Sequence, residues 1–209
     1  MKKFFSIVPL QLKGQLSGYV YEAVGNTRLQ LQRAIHFPII ASISGYAQAG
    51  EEIRVIAVVT DTEASRRNQE VLCTEVAEIC REKGITCPRG VEFITAPVDD
   101  RVAAHVATFQ KLIDLVEDDD ELFACMTYGT KPMSMALLMA VQYAYRIKRN
   151  TSISCIVYGQ IDRGGRERED WTGRVYDMTA LVQLDEIVRL LADRKVANPK
   201  AAIDTILSL

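Results

Sequence analysis

The residues TYGTKPMS, 127–134, lie between an apolar run, LFACM at 122–126, and a helical pattern that continues to Lys148. A short apolar run bounded by a turn signal indicates a buried strand. Gly129 permits a positive φ and a close approach of other groups to the backbone. Pro132 suits the first turn of a helix, because its missing N–H would be unpaired there. The stretch therefore predicts a sharp strand-to-helix turn.

The same alternation of strand and helix extends in both directions from this turn. Strand patterns are found at 4–10, 53–60, 91–96, 122–127 and 153–158, with a further short one at 174–178. Helical patterns are found at 28–47, 66–83, 101–117, 132–148 and 180–195, with a last short helix after Asn198-Pro199. Near-continuous apolar strands separated by amphipathic helices are typical of a parallel sheet covered on both faces. We therefore predict an α/β, Rossmann-like fold with a mainly parallel sheet.

The domain organisation follows from the same pattern. The sequence contains no internal repeat and no low-complexity linker, so residues 1–179 are predicted to form one Rossmann-like domain. Residues 180–209 are predicted to form a short C-terminal helical extension. The extension is too short for an effector domain of ordinary size. Two interpretations stay open: a chain that acts through its own pocket, or a sensor that belongs to a longer protein.

The segment 159–173, GQIDRGGREREDWTG, is polar and rich in glycine, arginine and acidic residues. Such a composition predicts a mobile surface loop. The loop would leave its strand at the same sheet edge as Lys131, and it carries Arg163, Arg166 and Arg168. It is therefore either a solvated loop or a lid that closes over an anionic ligand, with Trp171 as a natural reporter.

Composition limits the classes of protein. The chain has 209 residues, 48% of them hydrophobic, and its 25 Lys+Arg against 27 Asp+Glu give a formal charge of -2. This near-balance argues against a surface built to attract duplex nucleic acid or anionic lipid. No apolar stretch reaches the length of about 20 residues that a membrane span requires. Gln11 and Lys13 interrupt the apolar N-terminal run before it resembles a signal peptide, so we expect a cytoplasmic protein.

Metal and cofactor sites are not indicated. Five cysteines, at 73, 80, 87, 125 and 155, form no CxxC pair, and we interpret them as structural thiols. His36 and His105 have no ligating partner at metal spacing and are interpreted as ordinary core or surface residues. The acidic run 117–121 is interpreted as a solvated helix end, with a carboxylate metal site as the weaker alternative. We therefore expect neither a metal nor a cofactor.

The turn at 127–134 is a candidate phosphate site. Ligands of open α/β sheets bind beyond the carboxyl ends of the strands, where the helix dipole favours an anion and Lys131 adds a full charge. It is not a P-loop, because Ala124 occupies the position of the first glycine. The first strand does not lead into G-x-G-x-x-G either, so a dinucleotide enzyme is disfavoured. A purely structural turn is the alternative.

Asp61 and Thr62 follow the second predicted strand, and they either reach the rim of this candidate site or cap the helix that begins after them.

The sequence resembles the CARF domains, which sense cyclic oligoadenylate in type III CRISPR antiviral defence. The specific part of the resemblance is the T-x-G-T-K-x-M motif at 127–133, after the fourth predicted strand and before a long helix. Elsewhere within residues 3–179 the resemblance is one of strand order and length. It implies a ligand pocket between this motif and the loop after the first strand, on the two-fold axis of a homodimer. Tyr128 is a departure, since many family members carry a small residue there.

The resemblance also implies roles for individual residues. Gly129, Thr130 and Lys131 would contact ligand phosphate or ribose, with Met133 beside an adenine. If the ring is cleaved, Lys131 and Thr130 are the implied catalytic residues. The complete expected ligand-binding set comprises Pro9, Leu10, Gln11, Thr127, Tyr128, Gly129, Thr130, Lys131 and Met133.

Three functions are therefore kept open. The first is a homodimeric sensor that binds a cyclic oligoadenylate, with slow ring cleavage as an accompanying activity, and that signals to a fused or separate effector. The second is a dedicated, metal-independent ring nuclease that degrades the same messenger. The third is an unrelated Rossmann-like nucleotide-binding protein.

Overall fold

The computed structural model describes residues 1–12, 14–98, 101–164 and 171–208, which form a sheet with helices on both faces. The strands are β1 (Lys2–Ile7), β2 (Tyr21–Val24), β3 (Ile53–Thr60), β4 (Val91–Ala96), β5 (Glu121–Cys125), β6 (Ser152–Asp162) and β7 (Thr172–Asp177). The helices are α1 (Ile39–Tyr46), α2 (Glu63–Lys83), α3 (Val102–Ile113), α4 (Lys131–Ile147), α5 (Thr179–Asp193) and α6 (Pro199–Leu207).

The sheet is mainly parallel. Its strand order is β2-β7-β6-β5-β1-β3-β4, and the five strands from β6 to β4 in that order all run parallel to one another. The exceptions lie at one edge, where β7 is antiparallel to β6 and β2 runs parallel to β7. The predicted α/β, Rossmann-like fold is confirmed.

The chain reverses its direction of travel across the sheet beside β1. From β1 it builds outward through β3 and β4, then returns to place β5 on the other side of β1. Helices α1 and α2 pack on one face of the sheet, with Phe4 and Val55. Helices α3 and α4 pack on the other face, with Phe5 and Ile56. The loop after β1 and the turn after β5 therefore lead to opposite faces, and a crevice between them is expected at this point.

A cluster of ion pairs around the buried Lys3 lies at the amino end of β1. Lys3 is fully buried, and its Nζ lies 2.7 Å from both Glu117 Oε2 and Asp120 Oδ2. The same ammonium donates to the carbonyl of Leu115 at 2.8 Å. Asp120 is only 2% exposed, so the interpretation of 117–121 as a solvated helix end is wrong for this residue. The acids pair with Lys3 because β5, which follows them, lies directly beside β1.

The predicted helix at 28–47 is wrong over most of its length, since only α1 is an α-helix there. The preceding chain instead forms the short strand β2 and a 3-10 turn, Thr27–Leu29. An isolated antiparallel bridge between Tyr19 and Ile35 joins the two ends of this segment. Strand β2 has a mixed burial pattern over four residues, which is too short for a clear periodic signal.

The predicted loop at 159–173 is shorter than expected. Residues 159–162 belong to β6 and pair with β7 as an antiparallel hairpin. Beyond the last ladder pair, the guanidinium of Arg163 lies 4.9 Å from the ring centre of Trp171. Arg166 and Arg168, on which the lid interpretation also depends, lie outside the described residues.

Polar contacts join α5, the first of the C-terminal helices, to α4. Arg146 of α4 donates to Asp185 at 2.6 Å and to Glu186 at 2.9 Å on α5, and α6 has no buried residue.

All five cysteines are free thiols, and Cys80, Cys125 and Cys155 are buried. In the part of the chain that the structure describes, no helix is long and apolar enough to cross a membrane.

We predict that Lys3→Met lowers the free energy of unfolding by about 3 kcal/mol, because it leaves the buried carboxylate of Asp120 with only the more distant ammonium of Met1, at 3.5 Å, as a cation. Urea titration measures this loss. The matched control is Lys200→Met, which removes an ion pair with Asp204 from an exposed surface and should change stability by less than about 0.5 kcal/mol. Equal losses in the two variants would contradict a structural role for the buried cluster.

Candidate functional site

A cleft of about 410 Å³ opens where the chain reverses direction, between the loop after β1 and the turn after β5. Seven of the nine expected ligand-binding residues line it, and Gln15 is an addition that the sequence did not indicate. The lining residues are Pro9, Leu10, Gln11, Gln15, Thr127, Tyr128, Gly129 and Thr130. The structure therefore brings the two predicted loops together at the carboxyl edge of the sheet, where open α/β folds bind ligands.

The first wall of the cleft is the loop after β1. Asn68 of α2 donates its side-chain amide to the carbonyls of Pro9 at 2.9 Å and Gln11 at 3.0 Å. Gln15 Oε1 accepts from the backbone N–H of Leu12 at 3.3 Å. The Asn68 contacts hold the loop from inside the protein, the Gln15 contact lies at the surface, and the side chain of Leu10 remains exposed.

The second wall begins at Thr127, whose hydroxyl serves the fold. Thr127 Oγ1 accepts from the backbone N–H of Gly159 at 2.8 Å and lies 3.1 Å from Cys125 Sγ. The contact with Gly159 joins the turn to the β6–β7 hairpin. Thr127 thus lines the cleft while its hydroxyl anchors the wall to the neighbouring strand.

Tyr128 supports the second wall from behind. Its hydroxyl donates to the carbonyl of His36 at 2.6 Å, and its ring meets Phe37 edge-on at 5.6 Å between ring centres. Burial raises the pKa of this phenol above its usual value, so the hydroxyl is a neutral donor near pH 7. A large side chain is accommodated because the ring packs against the core cluster that includes Phe37.

Gly129 is required by its backbone conformation and by its neighbours. Its φ is +95°, a region that residues with a Cβ rarely adopt. A Cβ at this position would lie 2.8 Å from Ile7 Cγ2 and 3.4 Å from Met133 Sδ. The turn can therefore pack directly onto the end of β1, which brings the two walls of the cleft close together.

Thr130 begins α4 as its N-cap. Its Oγ1 accepts from the backbone N–H of Met133 at 3.4 Å, and its carbonyl accepts from the N–H of Ser134 at 3.0 Å. Within the described ranges, the backbone N–H groups of Gly129, Thr130 and Lys131 have no hydrogen-bond acceptor. Unpaired N–H groups at a helix N-terminus bind anions well, since the helix dipole adds to their partial charge.

Two expected residues lie outside the lining. Lys131, the first residue of α4, is exposed beside the cleft. Met133 is buried in the core beneath the turn, where it packs in the same cluster as Leu137. Its burial follows from helix periodicity, since α4 directs positions 133, 136, 137 and 140 toward the sheet.

The described lining residues carry no formal charge and include no histidine or carboxylate. Positive potential comes instead from the N-terminus of α4 and from Lys131 at its edge. Such a site can bind an anionic ligand and stabilise developing negative charge. General acid–base chemistry near neutral pH would require an ionisable group that these lining residues do not provide.

The remaining candidates have structural roles. Thr62 caps α2 by accepting from the N–H of Ser65 at 3.1 Å, and Asp61 pairs with Arg66. His36 Nδ1 lies 2.9 Å from Glu75 Oε1. Across residues 1–12, 14–98, 101–164 and 171–208, no group of three histidine, cysteine or acidic side chains is placed to hold a metal ion.

Comparison with known proteins adds no family assignment. A scan against protein-family models found no match, and a search of curated proteins returned no matching sequence. The fold and the site define the class as a Rossmann-like α/β protein with a cleft at the strand-order reversal.

We predict that Gly129→Ala destabilises the protein more than Gly50→Ala does. Both glycines have positive φ, but an added Cβ at Gly50 meets no atom within 4 Å. Backbone strain of about 1–2 kcal/mol applies to both variants, and overpacking against Ile7 adds about 1–3 kcal/mol at Gly129. Urea or thermal unfolding measures the difference. Similar losses would mean that close packing does not restrict the turn.

Proposed function

We propose that the protein is a homodimeric CARF-type sensor that binds a cyclic oligoadenylate second messenger. One observation carries the proposal: the Gly-Thr-Lys turn lies opposite the loop after β1 across a single cleft. The proposal therefore rests on the sequence resemblance together with a site of suitable position and chemistry. In this interpretation the unpaired N–H groups of the turn bind ligand phosphate, and Lys131 contributes the full positive charge.

Two copies are part of the proposal because one cleft supplies little charge. A cyclic ligand on a two-fold axis meets each residue of the site twice. Two turns and two Lys131 ammonium groups would then face the phosphates of one ring. The doubled charge would compensate for the uncharged lining of a single cleft.

An apolar groove beside the site supports association of two copies. It lies between α3 and α4, has a volume of about 420 Å³, and shares Pro132 with the turn. Its lining residues are Val102, His105, Val106, Phe109, Pro132, Met135, Ala136 and Met139. Met135 and Val102 are more than half exposed, and apolar surface of this kind is typical of protein interfaces. A second copy packed here would bring another α4 N-terminus toward the cleft.

Ring cleavage is the second candidate, and the unpaired N–H groups favour it over a general-base mechanism. The ribose 2′-OH would attack the adjacent phosphorus, and the bond to the 5′-oxygen would break, leaving a 2′,3′-cyclic phosphate. In-line geometry and positive charge over the developing oxyanion would be the main requirements. Of the two expected catalytic residues, Thr130 already uses its hydroxyl as a helix cap, so Lys131 is the stronger candidate.

Incubation with cyclic tri-, tetra- and hexa-adenylate in EDTA, followed by chromatography, separates these functions. A sensor should bind the ring and cleave it slowly at most, and a dedicated ring nuclease should convert it rapidly and completely to linear products with a 2′,3′-cyclic phosphate. If none of the three rings binds or is cleaved, the third hypothesis, an unrelated nucleotide-binding protein, replaces both.

We predict that Lys131→Ala weakens ligand binding by about 1.5–3 kcal/mol, the range for a lost hydrogen bond to a charged group. Lys131→Arg should restore only part of this loss, since a planar guanidinium does not replace a compact ammonium. Calorimetric titration measures both variants. Lys148→Ala at the opposite end of α4 is the control, and it should leave the affinity unchanged. Unaltered affinity in Lys131→Ala would place the phosphate site elsewhere.

We predict that Met135→Glu converts a dimer into a monomer, because it puts a charge into the apolar groove between α3 and α4. Light scattering at micromolar concentration measures the mass, with and without ligand. Leu181→Glu is a matched control, since Leu181 on α5 is 59% exposed and Met135 is 62% exposed. A monomeric wild-type protein in both conditions would remove the basis for a symmetric site.

A further inference from the structure

Helix α2 carries three buried polar side chains, Ser65, Asn68 and Glu75, and the last two hydrogen-bond to segments that form or support the cleft. Asn68 and Glu75 are seven residues apart, which is about two helical turns, so they lie on the same side of the helix. Both are less than a tenth exposed. Burial of polar groups is unfavourable unless they are hydrogen-bonded, and the partners of these two side chains lie in or behind the two walls of the cleft.

Asn68 holds the first wall. Its Nδ2 donates to the carbonyls of Pro9 at 2.9 Å and Gln11 at 3.0 Å, so both of its N–H groups have an acceptor in the loop after β1. The two carbonyls are two residues apart and both turn toward α2. The intervening Leu10 is left with its side chain 45% exposed at the cleft.

Glu75 reaches the second wall through one intermediate segment. Its carboxylate accepts from the backbone N–H groups of His36 at 2.7 Å and Phe37 at 3.2 Å, and Oε1 also lies 2.9 Å from His36 Nδ1. The carbonyl of His36 in turn accepts from the Tyr128 hydroxyl at 2.6 Å. Glu75 thus orients the segment that supports the turn from behind.

We propose that α2 sets the relative position of the two walls of the cleft, with Asn68 and Glu75 as positioning residues for ligand binding. One continuous helix of 21 residues gives both walls the same rigid reference. Loss of either contact would free one wall, and the ligand would then have to order that wall on binding, which lowers affinity. The ligand used to test this idea rests on the proposed function, but the effect on the loops does not.

Asn68→Asp is the principal variant, because it keeps the size of the side chain and replaces two donors with an acceptor that faces two carbonyls. Binding of cyclic tri-, tetra- or hexa-adenylate, measured by calorimetry well below the unfolding midpoint, should weaken by about tenfold or more. Val76→Ala is the matched control. Val76 is a buried core residue of the same helix, so its truncation lowers stability, but the affinity should stay within about twofold of wild type.

A ligand-free measurement tests the same contacts. In wild type, ¹⁵N order parameters of Leu10 and Gln11 should be near the rigid-backbone value of about 0.85, and in Asn68→Asp they should fall below about 0.6. Tyr128→Phe removes only the hydroxyl that links the second wall to His36, and it should lower the order parameters of Gly129 and Thr130 instead.

The outcomes separate this inference from the proposed function. If no cyclic oligoadenylate binds to wild type but Asn68→Asp mobilises Leu10 and Gln11, the ligand assignment fails and the positioning role holds. If Asn68→Asp leaves the order parameters at the wild-type level, or weakens binding no more than Val76→Ala does, the positioning role is overturned.

Discussion

Strand β1 has hydrogen-bonded neighbours on both edges and helices on both faces, so charged and solvent-exposed groups are confined to the regions near its two ends. At the amino end, the ammonium of Lys3 is neutralised by Glu117 and Asp120. At the carboxyl end, the loop after β1 and the turn after β5 lead to opposite faces of the sheet, and the cleft opens between them. The central position of this strand therefore determines where charge is buried and where the cleft opens.

Most of the sheet could be predicted from the sequence, because buried parallel strands are continuous apolar runs. The predicted bounds of the strands at 53–60 and 91–96 agree with β3 and β4. Errors concentrate at the edge formed by β2 and β7. There the strands are short or half-exposed, and pairing with a distant partner rather than local periodicity decides their conformation.

The candidate site was predicted in part. The turn chemistry of Gly129 is a local property that the sequence displays directly, whereas the helix cap at Thr130, although equally local, was not predicted, because the resemblance implies only a ligand-site role for Thr130. The role of Asn68 is not visible in the same way, because its partners are 57 and 59 residues away in the chain. Burial of Met133 and the inward direction of Tyr128 likewise depend on which surfaces α4 and the core present to the turn.

Because Lys3 is buried, amine-directed reagents cannot reach it in the folded protein, whereas they can reach the exposed Lys131. Acylation requires an accessible, neutral amine, and Lys3 is both enclosed and held in ion pairs. Modified Lys3 would therefore report molecules that have unfolded, whereas Lys131 would be modified in folded and unfolded molecules alike. The ratio of modification at Lys3 to modification at Lys131 would therefore measure the unfolded fraction within one sample.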